Sequence, residues 1–467
     1  MSNGIEPLAI EEAVSSLVSA LNLYREERPS TDQSNQTRLV TFSQPVQPTN
    51  IPEWLGSQTL YPRLFWMNRE QDFSVAGIGI ADTITFEGSG NNSESFRKFG
   101  LDVAGKKPYT RYFGGFHFNN IEQQDPVWQK FASFSFVLPL VQLTFENKTF
   151  TLSCHLWLEP GDNLHAKIIE ITDILDRVVV SADRSAIKLP ALQSISYNPD
   201  EKSWIEQCRK AIETFETDGM DKIMLARQTV LEFSHSFSPL VFLLNYPYPE
   251  NAIYRFYFEP IENQAFFSFS PERLYRREGN ILLTEALAGT CSKETINGDD
   301  LHASETLLNS EKDIREHNFV KEMISQELLK ICSEIDMDDD LQVLQLHRLA
   351  HLYTRCSARL KPEFEHDSAV LNLLHPTPAV GGVPKASAME HIIDLEPFSR
   401  GWYAAPVGWV SRDASEFCVA IRSALVNGRF AYLYSGAGLV KGSDPLSEWE
   451  EVEQKIGDIL AITRQEA

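Results

Sequence analysis

Apolar residues at helical spacing open the chain: Ile10, Val14, Leu17 and Leu21 predict an amphipathic helix over residues 9–24. The next stretch, residues 26–50, is polar with three prolines and reads as a loop. Strand-like runs follow over residues 60–86 and again over 131–158, with turns expected at Glu146-Asn147 and Pro160-Gly161-Asp162. Between them, residues 87–108 are rich in Gly, Ser, Asn and Lys and read as a mobile connection. Residues 180–202 are polar and proline-punctuated, a linker between two halves: a strand-rich region 1–200 that contributes to the same fold, and a catalytic region 201–467.

In the second half, residues 204–217 predict a helix, Asp218-Gly219 a turn, and Lys222 to Phe233 a long strand. Ala265 onward is an aromatic strand that delivers Pro271-Glu272. A short strand Ile281–Leu283 then leads into a small-residue turn, Ala286 to Thr290. Leu308 to Ile335 is the clearest helix, with Ser310 and Asp313 as a capping-box-like start and Val320, Ile324, Leu328 and Ile331 as its stripe. Phe417 to Val426 reads as one strand. The last helix has Asp444 as N-cap and Pro445 at its first position, with Trp449, Val452, Ile456 and Ile459 on its buried face.

Composition narrows the function classes. The 467 residues carry a formal charge of −23, which argues against a nucleic-acid binder, since phosphate contacts need a basic face. Six scattered cysteines with no C-x-x-C pair fit reduced thiols in a cytoplasmic protein. No apolar run approaches the ~20 residues of a membrane span. Gly100 to Lys107 (GLDVAGKK) is one residue short of a phosphate-binding loop and has Lys107 where Ser or Thr should hold the metal, so it is set aside.

Several residues could carry chemistry. Glu272 at a strand end, facing a glycine-bearing turn, is how an acid catalyst is often mounted, although a lone Pro-Glu pair is more often a surface turn. Lys222 shares a strand face with Met224 and Ala226. It is either a strand-end lysine snorkelling to water or a partly desolvated base. Glu451 and Lys455, four apart, form an ordinary surface bridge unless Glu451 joins Glu316 in supplying oxygens to Mg²⁺. Arg422, Tyr434 and the Gly436-Ala437-Gly438 turn would suit a carboxylate, each being weak alone.

Taken in order, KIMLAR, SPERL, TEALAGT, SEKDIREH, HPTPAVGG, EPFSRGWYAAPVGW, AIRSALV, SGAGLV and EWEEVEQK resemble the chorismate-utilising enzymes, over roughly the last half of the chain. YPRLFWMN and RYFGGFHF are similar to the menaquinone-type isochorismate synthases within that family. The resemblance implies an α/β (α+β) fold: two related subdomains with antiparallel sheets packed inside, helices outside and the site in the cleft. It implies a Mg²⁺-dependent isomerase converting chorismate to isochorismate for menaquinone synthesis, with no glutamine amidotransferase subunit. By resemblance, Lys222 activates water and Glu272 is the general acid. Glu316 and Glu451 are the Mg²⁺ ligands, with Glu311 nearby. Arg422, Tyr434 and Gly438 hold the enolpyruvyl carboxylate, while Gly289, His351 and Lys455 surround the ring carboxylate and the metal.

Product choice rests on the turn before Thr290. Ala288 stands where aminodeoxychorismate synthases carry a nucleophilic lysine, so no covalent adduct forms there. Glu285-Ala286-Leu287 replaces the Arg-Pro-Ile of anthranilate synthases. Salicylate synthase, with proline at the position of Ala286, is the same-class alternative. An inactive chorismate- or partner-binding homologue is the alternative of a different class.

Overall fold

The computed structural model describes residues 6–30, 36–88, 92–119, 125–179, 188–217, 219–247, 252–293, 300–345 and 349–464. Two large antiparallel sheets form the frame. The twelve-stranded sheet runs, edge inward, through Arg38–Val46, Thr149–Leu158, Val141–Glu146, Phe73–Ile78 and Arg63–Met67. It continues through Tyr254–Ile261, Gln264–Ser270, Ser423–Asn427, Phe430–Leu439, Lys222–Phe233 and Gly382–Val383, with Leu192–Asn198 also pairing Lys222–Phe233. The ten-stranded sheet runs Cys332–Met337, Leu349–Leu360, Ile281–Ser292, Arg273–Glu278, Ala414–Val419, Pro406–Val410, Tyr112–Phe116, Phe134–Leu138 and Asp82–Phe86, with Gln342–Gln345 on Leu349–Leu360.

Strands from both sides of residue 200 pair in each sheet: Arg63–Met67 with Tyr254–Ile261 in one, and Tyr112–Phe116 with Pro406–Val410 in the other. Aromatic side chains join the sheets, for instance Phe73 and Trp409 with ring centroids 6.1 Å apart. A separate core lies beneath the opening helix, Ile10–Glu26, which buries Val14, Leu17 and Leu21 as its spacing predicts.

Four expectations need correction. Arg38–Val46, read as loop, is an edge strand paired along its length with Thr149–Leu158; its half-exposed alternation masks it in sequence. Asn92–Ala104, read as a mobile connection, is a helix that buries Phe96, Phe99 and Val103, with Phe99 set 4.8 Å from the ring of Phe116. Residues 180–187 of the expected linker lie outside the described residues, as does Asp218, but Leu192–Asn198 within that linker is a strand. The expected long helix is really Glu311–Leu328, followed by the strand Cys332–Met337; Ile331 continues the apolar spacing past the helix end and hides the boundary.

Two further corrections bear on the site. Ala286–Thr290 is not a turn but part of the strand Ile281–Ser292, with an irregularity between Ala288 and Thr290 at Gly289. A φ of +75° there is the left-handed region that glycine adopts at least cost. Phe417–Val426 is not one strand: Ala414–Val419 belongs to the ten-stranded sheet and Ser423–Asn427 to the twelve-stranded one. Arg422, at φ +49°, makes the corner.

Candidate active site

The site is built where two neighbouring strands change sheets together. Gln264–Ser270 pairs with Ser423–Asn427 in the first sheet, and Arg273–Glu278 pairs with Ala414–Val419 in the second. Pro271-Glu272 and Ala420–Arg422 are therefore facing corners of one bent ribbon. Cross-bonds hold them: the Val419 N–H donates to the Glu272 carbonyl (3.1 Å), and the Phe269 N–H to the Arg422 carbonyl (3.1 Å). Proline preceding Glu272 suits this corner because it fixes φ and needs no ladder donor.

Glu272 is only 8% exposed. Burial pushes its carboxyl up to about 7. A hydrogen bond from the Thr377 hydroxyl (3.1 Å) works against that rise. The Glu285 charge adds to it, and the Lys222 and Lys455 cations oppose it. The acid thus shares an electrostatic field with both lysines. Against it opens a cavity of about 580 Å³, whose lining includes Leu287, Thr377, Ala379 and the Val320 and Met323 side chains of the helix Glu311–Leu328. That volume is in the range of small-molecule sites.

Lys222 begins its strand opposite Val383, and its Nζ lies 3.5 Å from Oε1 of Glu316. Gly438 pairs with Met224 on the adjoining strand; a Cβ there would fall 3.1 Å from Lys222 Cε and 2.8 Å from Met224 Sδ. The glycine therefore makes room for the lysine. Lys455 does more than bridge one turn of helix: its Nζ donates to Glu451 (2.7 Å) and also to the Gly436 carbonyl (2.9 Å).

His351 is hydrogen-bonded to the Gly289 backbone and is depressed to about 3, by burial first and then by the Arg422 and Lys455 cations, so its imidazole is neutral. Arg422 is itself lowered by burial, against the pull of Asp458 and Tyr246. The structure thus gathers Lys222, Glu272, Gly289, Glu316, His351, Arg422, Gly438, Glu451 and Lys455 around one corner. Tyr434 is not among them. It is wholly buried, with its hydroxyl taken by Gln228 Nε2 (3.1 Å) and its ring stacked on Tyr403.

Tyr403, not singled out by the sequence, is the tyrosine that senses Glu272: burial raises its hydroxyl, Arg400 opposes, and the Glu396 and Glu272 charges add. A Cβ on Gly436 would lie 3.0 Å from that hydroxyl. Thr377 was also missed. Its loop is fastened by Arg400, which pairs with Glu396 and donates to the carbonyls of Val380 (2.7 Å) and Met224 (2.8 Å). The signal for both lay in the HPTPAVGG and EPFSRGWYAAPVGW strings, which name segments without saying which atom turns inward.

Among the described residues, no three His, Cys, Asp or Glu side chains stand at metal-holding spacing. Glu316 and Glu451 nevertheless suit a hard divalent cation, which takes a few carboxylate oxygens and keeps other ligands from water or substrate. Each is half-exposed and held by a lysine, and Glu448 beside Glu451 is raised by burial and then by the Glu451 charge. Such like-charge crowding is what a bound cation relieves. Glu311, expected nearby, is exposed on the first turn of its helix.

Two antiparallel sheets joined by a bent ribbon that carries a buried carboxylic acid, with Lys222 and Lys455 in its electrostatic field, frame the candidate site; of the site residues read from the sequence, Glu272 is the one that lines the cavity. The family model described as chorismate binding enzyme matches residues 23–464, and the chain belongs to that family. It is 29% identical over 447 residues to isochorismate synthase MenF of Bacillus subtilis (strain 168), covering 91% of this chain and 94% of that one. MenF of Escherichia coli (strain K12) is 31% identical over 416 residues, covering 88% and 90%. The solved structure of MenF, the menaquinone-specific isochorismate synthase from Escherichia coli, superposes with a TM-score of 0.82 at 29% identity, covering 97% of this chain and 100% of that one. Among the described residues no helix is long and apolar enough to cross a membrane.

Proposed function

We propose that the chain is an isochorismate synthase that moves the ring hydroxyl of chorismate and serves menaquinone synthesis. The observation that carries this reading is Glu272: a buried carboxyl raised to about 7, so that it can hold a proton near neutral pH, with Lys222 in the same electrostatic field. The extended similarity to MenF proteins supports the product.

In this reading Lys222 takes a proton from the water that attacks the ring carbon next to the carboxylate-bearing one. Glu272 gives its proton to the hydroxyl leaving from the far side, the ring double bonds shift, and water departs. Atoms balance: one water enters and one leaves, with a proton returned from Lys222 to Glu272 through solvent. Arg422 and Lys455 offset substrate charge despite the acidic chain. Glu316 and Glu451 would hold Mg²⁺, which supplies charge stabilisation at the ring carboxylate. Because water rather than ammonia is added, no amidotransferase partner is needed. The six free cysteines, five of them buried, fit a cytoplasmic setting.

The test is product analysis after incubation with chorismate and Mg²⁺. Isochorismate alone is expected. Sustained release of salicylate with pyruvate, or anthranilate formed in the presence of ammonia, overturns the assignment.

A further inference from the structure

Both peptide groups that flank Glu272 are gripped by a single buried ion pair contributed from elsewhere in the chain. Arg69 Nη1 donates to the Pro271 carbonyl (3.0 Å) and to Glu285 Oε1 (2.8 Å), and Arg69 Nη2 to Glu285 Oε2 (2.7 Å). Glu285 Oε1 also accepts the Arg273 N–H (2.9 Å). The first bond fixes the carbonyl before Glu272 and the last fixes the amide after it. The Arg69 and Glu285 side chains are 8% and 0% exposed. Glu272's own N–H and C=O are held by the Ser270 hydroxyl and the Val419 N–H.

This is an unusual amount of machinery for one corner. The bonds from Arg69 span 202 and 216 residues of sequence, tying the end of the strand Arg63–Met67 to the strand that bears Glu285. A buried pair of this kind is weak evidence for stability, because desolvation of both ions offsets much of their attraction. Its geometry instead serves position: bidentate arginine-to-carboxylate bonds have a fixed orientation, and here each partner also bonds the backbone on one side of the acid, Arg69 before it and Glu285 after it.

We propose that Arg69 and Glu285 are positioning residues for Glu272, aiming its carboxyl at the departing hydroxyl and keeping a negative charge beside it. The inference rests on the reading of Glu272 as the general acid. The charged or titratable groups that face Glu272 are Glu285 on the strand Ile281–Ser292, Lys222 on Lys222–Phe233, Lys455 at the end of the helix Pro445–Lys455, Tyr403, and Cys418 on Ala414–Val419. Glu285 in turn faces Arg69, Arg273 and Tyr353. Among the neighbours of Glu272, Glu285 is the carboxylate that favours its protonated form.

Two conservative variants test this. Glu285→Gln keeps an acceptor for the Arg273 N–H but removes the charge and deprives the Arg69 cation of its bidentate partner; both changes favour ionised Glu272. Arg69→Lys keeps the charge but loses the planar fork that spans Pro271 and Glu285. Expected are a kcat lower by about 10- to 100-fold in each, the size of effect of a small misplacement of a reacting group, with KM within about threefold. For Glu285→Gln, the alkaline limb of the kcat pH profile should also move to lower pH. A merely structural role would reduce the folded fraction, read by near-ultraviolet circular dichroism, without moving that limb in the protein that remains folded. Wild-type kcat and limb in both folded variants overturn the proposal, as does a complete failure of both to fold. Glu272→Gln run alongside separates the two levels: if it stays active the acid assignment fails, and if it is inactive while both variants are normal only the positioning role fails.

Discussion

Lys222 Nζ lies 3.5 Å from Glu316 Oε1, joining the start of the strand Lys222–Phe233 to a helix residue 94 positions further along the chain. One side chain is the proposed base and the other a proposed metal ligand, so charge at one bears directly on the other. Lys222→Ala should lower kcat by roughly 10²–10⁴, the usual worth of one proton-transfer group, while chorismate KM changes little. Steady-state kinetics at saturating Mg²⁺ checks this; a variant with full kcat removes Lys222 from the mechanism.

Glu272 supplies a stability prediction that does not depend on turnover. Its folded value of about 7 lies above the ordinary 4.5. Between those values the native protein keeps a proton that the unfolded chain has lost, so its contribution is full below the ordinary value and is lost as pH rises through about 7. The span is worth about 3 kcal/mol. Glu272→Gln does not titrate, so its unfolding midpoint should gain on the wild type between pH 5 and pH 8. A gap that stays constant across that window contradicts the raised carboxyl.

Gly438 tests the packing around the base. A methyl group there meets Lys222 Cε at 3.1 Å and Met224 Sδ at 2.8 Å, both parts of flexible side chains that can shift. Gly438→Ala should therefore fold, displace the lysine and reduce kcat by about 10- to 100-fold, as expected for a misplaced reacting group. Thermal denaturation and kinetics together separate this from simple unfolding.

The two helix carboxylates make a separable prediction. Glu316→Ala and Glu451→Ala should each raise the Mg²⁺ concentration for half-maximal rate at least about 10-fold, since even groups that only support ligands have effects of that size. Titration calorimetry with Mg²⁺ alone gives a second readout. Unchanged metal dependence in both variants removes these residues as ligands.

Much of the candidate site is legible in the sequence. The segments bearing Lys222, Glu272, Glu316, Arg422 and Lys455 have distinctive strings, and the helix caps at Ser310 and Asp444 form as their spacing predicts, each side chain accepting from a backbone N–H three residues on. Where local pattern and tertiary context diverged, context won. Arg38–Val46 is a strand because Thr149–Leu158 offers it a ladder, and Asn92–Ala104 is a helix because Phe99 finds an aromatic pocket. Tyr434 looked as suitable as any tyrosine for a ligand, yet Gln228 takes its hydroxyl inside the core.

The sequence by itself determined the candidate cast: which segments carry the proposed lysine, acid, carboxylates and glycines, and hence the family. These are local properties, written in residue type and spacing. Only the tertiary structure decided how the cast is arranged. Glu272 acquires its proton affinity from burial and from neighbours distant in sequence. The aim of its carboxyl depends on a ribbon that bends between two sheets, and on Arg69 reaching 202 residues along the chain to its Pro271 carbonyl. Desolvation and long-range hydrogen bonds exist only once the chain has closed on itself, so no window of sequence contains them.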